Sequence, residues 1–215
     1  DDAPGEVDAR GSMTDSVPWL VASYLLGAIP TSYLAGKWFR GIDLRQQGSR
    51  NLGATNLYRL MGWKYALPVG LFDVAKGAAA VLLFGPRAPL VPHFPTWCGA
   101  AVVIGHVFSV FVRFRGGKGV ATAAGVVIAL APLAFPVVAI TWGLVVWLTG
   151  YVSLGSIIAA ALFPVADYVL HPARRSWITL GFDVGIAAFI VWKHRANIAR
   201  LLAGTENRFG RRKPT

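Results

Sequence analysis

Three polar segments of this sequence hold residue types that bind phosphate and move protons. The first is Gly48-Ser-Arg-Asn-Leu-Gly-Ala-Thr-Asn-Leu-Tyr-Arg59. It brings together Gly48, Gly53, Ser49, Thr55, Asn51, Asn56, Arg50 and Arg59. Small residues allow close backbone approach, hydroxyl, amide and N–H groups donate to an anion, and a guanidinium fork suits phosphate. The second is Arg113-Phe-Arg-Gly-Gly-Lys-Gly-Val-Ala-Thr122. Gly116, Gly117, Lys118 and Gly119 lead into an apolar run, and free amides at a helix N-terminus cradle anions. No Ser or Thr follows Lys118, so this is not a nucleotide P-loop. The third is His194-Arg-Ala-Asn197, continuing through Arg200 to Arg208. His194 and Asn197 share a helix face at i and i+3. An imidazole transfers protons near neutral pH, and an amide orients a hydroxyl.

Each segment taken alone also has a plainer reading. The first serves as a polar loop with Ser49 or Asn51 capping an interfacial helix. The second serves as a turn, and the third as a basic tail on anionic lipid. Asp73 and Lys76 lie i, i+3 inside an apolar run, where ionisable groups are functional candidates or self-neutralising pairs. Ser153 and Ser156 share a face near the start of a later run, and His106 reads as a core histidine. His93 and His171 look incidental. Cys98 is the sole cysteine, which excludes an intrachain disulfide and reads as a small buried hydrophobe. No carboxylate or histidine cluster has ligand spacing, so neither metal nor cofactor is expected.

The elements that carry these segments are apolar. Of the 215 residues 55% are hydrophobic and 14% charged, against about a quarter charged in soluble domains, and the apolar residues come in bilayer-length blocks. The net charge of +11 would suggest nucleic acid on a soluble chain. On a membrane chain it marks cytoplasmic loops or an anionic substrate, so no nucleic-acid partner is expected. Residues 1–12 are polar and acidic and end before Met13. They read as an appended, disordered segment, with 13–215 as one membrane domain. The run from Val17 to Phe39 lacks a small-residue cleavage pattern and reads as a retained span.

Seven apolar runs follow, at 17–38, 65–84, 96–114, 119–134, 136–151, 153–170 and 177–192. The fold expected is all-α, a polytopic bundle of seven transmembrane helices. Runs four and five are divided only by Ala131-Pro132 and Phe135-Pro136, so they form either two helices or one kinked one. With seven spans, fifteen Lys and Arg of the loops fall on one face and three on the other. Merging the two runs makes that eight against ten. The positive-inside rule therefore favours seven spans, N-terminus out and C-terminus in. Alanine runs such as 78–80 and 159–161 predict close helix packing. No internal repeat is evident. The same charge count places all three polar segments and Ser156 at the cytoplasmic face.

Taken together, the motifs Gly-Ser-Arg-Asn-Leu-Gly-Ala-Thr-Asn, Gly-Gly-Lys-Gly-Val-Ala-Thr and His-Arg-Ala-Asn-Ile-x-Arg-Leu resemble the three signatures of the PlsY family. These are bacterial acyl-phosphate:glycerol-3-phosphate acyltransferases. The resemblance runs the length of 13–215. It implies transfer of a fatty acyl group from acyl phosphate to the 1-hydroxyl of glycerol 3-phosphate. The products are lysophosphatidic acid and inorganic phosphate, in phospholipid synthesis at the cytoplasmic (inner) membrane. It implies Ser49, Arg59, Lys118, Ser156, His194 and Asn197 as the catalytic set. Asn51, Gly53, Thr55, Asn56, Gly116, Gly117, Gly119, Asp73 and Lys76 are the candidate substrate and phosphate ligands. Arg50 stands where the family usually has glycine.

An acyl phosphate is an activated mixed anhydride, so orientation and charge neutralisation can carry the reaction by direct attack. Arg59, Lys118, Ser49 and the 116–119 amides would hold phosphate, and His194 and Asn197 the attacking hydroxyl. The base is His194 or a substrate phosphate oxygen. An acyl-Ser49 or acyl-Ser156 intermediate is the covalent alternative. A transporter or channel for an organic phosphate and a non-catalytic lipid-binding subunit are the competing classes. Membrane lipid is an expected partner, and no obligate protein partner is evident.

Overall fold

The computed structural model describes residues 9–209 of the chain, and the described part is helical with no strand. Ten α-helices follow in order: α1 Ala9–Ala28, α2 Thr31–Arg40, α3 Ala54–Met61, α4 Trp63–Ala79, α5 Phe94–Val107, α6 Val120–Leu130, α7 Ala134–Thr149, α8 Val152–Leu170, α9 Trp177–Lys193 and α10 Arg195–Leu202. Four stretches are long and apolar enough to cross a bilayer: Thr14–Arg40, Trp63–Arg87, Phe94–Val112 and Val152–Leu170. The apolar helices α6 and α7 are shorter. Large apolar side chains such as Leu71, Leu82, Ile140 and Val165 face outward. Such a surface is stable only against lipid or another apolar partner.

Every apolar run of the sequence contains a helix, but several bounds shift. The segment set aside at 1–12 falls outside the described residues up to 8, and 9–12 are helical rather than irregular. The first run is broken, because Pro30 separates α1 from α2. A proline removes a helical N–H and crowds the preceding turn. Side chains from elsewhere take the carbonyls freed there: Ser109 Oγ donates to Ala28 O, and Lys76 Nζ to Ile29 O at 3.1 Å. The third run stops as a helix at Val107, and a 3₁₀ turn at Val110–Val112 opens the second polar segment. Runs four and five are two helices, α6 and α7, with Ala131 N closing on Val127 O at 2.7 Å before the turn.

The helices pair α1 on α5, α4 on α6, α7 on α8 and α8 on α9. The first two pairs rest on reciprocal glycines. Gly27 lies on the backbone of Val102 and Gly105 on that of Tyr24, while Gly77 lies on Thr122 and Gly125 on Val74. A β-carbon at any of the four would collide with main chain, so only glycine permits this approach. The remaining gap, between α6 and the α7–α9 unit, becomes the cavity described below.

The end of the bundle away from the three motifs is tied by a polar cluster that the sequence reading passed over. His171 Nδ1 pairs with Asp167 at 2.9 Å, and Arg174 Nε approaches the same carboxylate at 3.4 Å. Arg174 also donates to Leu130 O at the C-terminus of α6, and Leu133 N donates to His171 Nε2 at 3.3 Å. His171 is therefore a structural tie between α8 and the α6–α7 turn rather than an incidental loop residue.

Candidate active site

The first polar segment folds around one buried amide. Asn56, on α3, is 1% exposed. Its Nδ2 donates to the carbonyls of Gln47 at 3.2 Å and Asn51 at 3.1 Å, and its Oδ1 accepts from Ser49 N at 2.9 Å. Asn56 thus shapes the loop and has little capacity left for a ligand. Arg50 sits at φ 59°. That is the left-handed region, where glycine carries no penalty and other residues lose about 1–2 kcal/mol. This is the position where the sequence resemblance expects glycine.

The second segment turns back under α5. Gly116 N donates to Val107 O at 3.0 Å and Gly117 N to His106 O at 3.1 Å. These amides satisfy carbonyls at the end of α5 and are not offered to an anion, which corrects the phosphate role expected for Gly116 and Gly117. Gly117 packs so closely on the His106 ring and Leu52 O that a β-carbon would collide with both. Gly119, at φ 83°, is the N-cap of α6 and does reach the cavity. The first amides of α6, which follow Gly119, have no helical acceptor by geometry.

The third segment supplies a proton acceptor and a relay. His194 is 2% exposed, and its Nδ1 lies 2.8 Å from Ile190 O. A carbonyl only accepts, so Nδ1 carries the proton and Nε2 keeps a free lone pair. Burial pushes the His194 pKa down to about 4, with Lys118 adding to the fall. The ring is therefore neutral at physiological pH. Asn197 joins two charges: its Oδ1 accepts from Lys118 Nζ at 2.5 Å, and its Nδ2 donates to Glu206 Oε1 at 2.7 Å. Its main role in this geometry is to hold Lys118.

Glu206 was not singled out in the sequence. Its carboxylate is buried and also accepts from Ser153 Oγ at 3.0 Å and Arg200 Nε at 2.7 Å. Burial raises its pKa, but the hydrogen bonds from Asn197, Arg200 and Ser153 outweigh that and hold it below the ordinary value. The available signal was that Glu206 is the one acid in the basic stretch from Lys193 to Lys213. The segment around it crosses the site. Arg59 Nη2 donates to Asn207 O at 3.4 Å, the Phe209 ring stacks on Tyr58 at 4.6 Å, and Phe209 N donates to Gly150 O at 2.6 Å. This part of the tail is thus docked on protein rather than laid on lipid.

One cavity of about 710 Å³ collects most of the expected residues. Ser49, Asn51, Gly53, Thr55, Asn56, Arg59, Asp73, Lys118, Gly119, Ser156, His194 and Asn197 all line it. Gly116, Gly117 and Lys76 do not. Lys76 instead pairs with Asp73 at 2.7 Å with its side chain fully buried, which corrects its expected ligand role. Asp73 Oδ1 also accepts from Thr31 Oγ1 at 2.8 Å. Ser156 Oγ donates to Val152 O at 2.9 Å and accepts from Trp142 Nε1 at 3.3 Å. Its proton goes to a carbonyl, not to a base, so nothing here activates it as a nucleophile.

Arg59 and Lys118 bring cationic donors to the polar end of the cavity. Arg59 Nε is buried without a hydrogen-bond partner, and burial lowers the Arg59 pKa, opposed by Glu206. Burial also pushes the Lys118 ammonium down to about 8; Glu206 opposes this, and Arg200, Arg59 and Lys193 add to the fall. A bound phosphate relieves that crowding. In the free enzyme the Lys118 charge is lost as pH rises through about 8. Accordingly kcat/KM for a phosphate substrate falls about tenfold per pH unit above that value. The same limb in kcat lies at higher pH, because bound phosphate raises the Lys118 pKa. Steady-state profiles of wild type and Lys118→Arg check this, since arginine keeps its charge and removes the limb.

A helical membrane protein whose apolar cavity opens onto half-buried cations and a neutral imidazole is built as an enzyme for lipid-tailed, phosphorylated molecules. The sequence profile of glycerol-3-phosphate acyltransferases matches residues 17–204, and the chain belongs to that family. It is 46% identical to the glycerol-3-phosphate acyltransferase of Trichlorobacter lovleyi over 92% of this chain and 99% of that one. It is 49% identical to the one from Desulforudis audaxviator over 89% and 94%. Among solved structures it is similar to PlsY, an integral membrane glycerol 3-phosphate acyltransferase, in its glycerol 3-phosphate form. The TM-score is 0.84 at 38% identity, covering 91% of this chain and 96% of that one. The lysophosphatidic acid form of the same protein gives 0.80.

Proposed function

We propose that this protein transfers a fatty acyl group from acyl phosphate to the 1-hydroxyl of glycerol 3-phosphate. The products are lysophosphatidic acid and inorganic phosphate. The observation that carries this is one continuous cavity that joins a cationic mouth at Arg59 and Lys118 to an apolar interior between α6 and α7–α9. Family membership supplies the acceptor: relatives are glycerol-3-phosphate acyltransferases, and the PlsY structures are glycerol 3-phosphate and lysophosphatidic acid forms. The reading places seven spans in the bacterial cytoplasmic membrane, N-terminus out and C-terminus in, with the mouth on the cytoplasmic side. The lysine and arginine bias of the loops supports it.

The chemistry is direct attack. The glycerol oxygen bonds to the acyl carbon, the bond from that carbon to the phosphate oxygen breaks, and inorganic phosphate leaves. Arg59 and Lys118 neutralise the charge that gathers on the departing phosphate. His194 Nε2 accepts the hydrogen bond of the attacking hydroxyl. With its pKa near 4 the imidazole is a weak final acceptor, so the proton passes to a phosphate oxygen. An acyl-Ser156 intermediate is disfavoured by the Ser156–Val152 hydrogen bond. An organic-phosphate transporter fits less well, because the cavity lining ends in Phe135 and Phe163 rather than in a polar exit.

The test is purified protein with acyl phosphate and glycerol 3-phosphate, following phosphate release and lysolipid together. Equal amounts of both are expected, with no acyl-protein at single-turnover times. No product, combined with glycerol 3-phosphate uptake into liposomes holding the protein, would overturn the enzyme reading.

A further inference from the structure

The interior arm of the cavity has a small side chain on each surrounding helix: Ala124 on α6, Ala139 on α7, Ala160 on α8 and Ala187 on α9. Its lining on α7 and α8 ends at two large rings, Phe135 and Phe163. Phe163 is buried in the bundle's main apolar cluster, and Phe135 packs against that cluster. The distance from mouth to rings follows from the helices themselves. The lining runs from Val152 to Phe163 on α8 and from Trp142 to Phe135 on α7, eleven and seven positions. At the helical rise these are about 16 Å and about 10 Å. A membrane acyl tail reaches across half of a roughly 30 Å hydrocarbon core, or about 15 Å. A long tail entering from the mouth therefore meets the rings, whereas a short tail stops among the alanines.

We propose that Phe135 and Phe163, with the alanines before them, determine which acyl tails the enzyme accepts. The ring pair is the point at which a long tail must turn aside toward lipid, so the rings set the upper length. The inference rests on the acyl-donor reading above and adds to it the residues that select among donors.

The experiment uses the full chain in detergent with glycerol 3-phosphate and two donors, butyryl phosphate and palmitoyl phosphate, with lysolipid as the readout. Ala139→Phe overpacks the arm, and about a tenfold fall in the palmitoyl-to-butyryl ratio of kcat/KM is expected. Phe135→Ala, made at a half-buried ring on the same helix, opens the far end and raises that ratio. Phe135→Ala also gives an independent answer where Ala139→Phe does not fold. Ratios that stay at the wild-type value in the variants that fold, or both donors falling by one common factor, overturn the proposal and place the tail elsewhere. Wild type that makes lysolipid from neither donor overturns the donor reading itself, which is a different result from wild type active on both with unselective variants.

Discussion

Lys118→Ala lowers kcat about a hundredfold to a thousandfold, the range seen when one preorganised charge donor is removed from a reaction that develops an oxyanion. The effect is large because Lys118 is half-buried at a cavity mouth where burial already weakens its charge. Removing it leaves Asn197 Oδ1 without its donor and leaves Glu206, whose carboxylate is buried, with Arg200 as its close cation. Steady-state rates with saturating glycerol 3-phosphate check it. An unchanged thermal midpoint alongside the fall separates lost catalysis from lost fold, and near-normal turnover would remove Lys118 from the catalytic set. Lys118→Arg recovers charge but not the compact ammonium held by Asn197, so its rate lies between the two.

The second large effect is on stability. Lys76→Met leaves the Asp73 carboxylate in the bundle interior without its cation, at a distance now of 2.7 Å from a fully buried ammonium. Breaking one side of a buried pair costs about 3–5 kcal/mol, because the survivor is an uncompensated charge. The lost hydrogen bond to Ile29 O adds to this, since that carbonyl lies at the Pro30 break. Thermal unfolding in detergent is expected to show a strong loss for Lys76→Met. The double variant with Asp73→Asn should regain much of it, because the uncompensated charge is gone. A double variant no more stable than Lys76→Met would show that the loss comes from packing and not from charge.

Much of this architecture could be read from the chain because lipid and charge write plainly. Apolar run length located the helices, and the loop charges grouped three distant segments that do line one cavity. The sequence was less informative where partners lie across the bundle. Gly116 and Gly117 look like an anion cradle until the end of α5 is placed beneath them and takes their amides. Lys76 looks like a ligand until Ile29 and Asp73 are found to surround it. Asn56 has the chemistry of a phosphate donor, yet three loop carbonyls and an amide use it. In each case the residue type was right and the acceptor was unknowable from spacing. Glu206 is the reverse case. A lone acid in a basic tail is conspicuous, but only the folded tail brings it to Asn197 and Ser153.

The docking of residues 205–209 ties the site to a segment outside the bundle. The bundle's last long helix ends at Lys193, and Glu206 lies thirteen positions further on. A chain cut after α10 would therefore keep every apolar helix and lose the carboxylate that steadies Asn197, and through it Lys118.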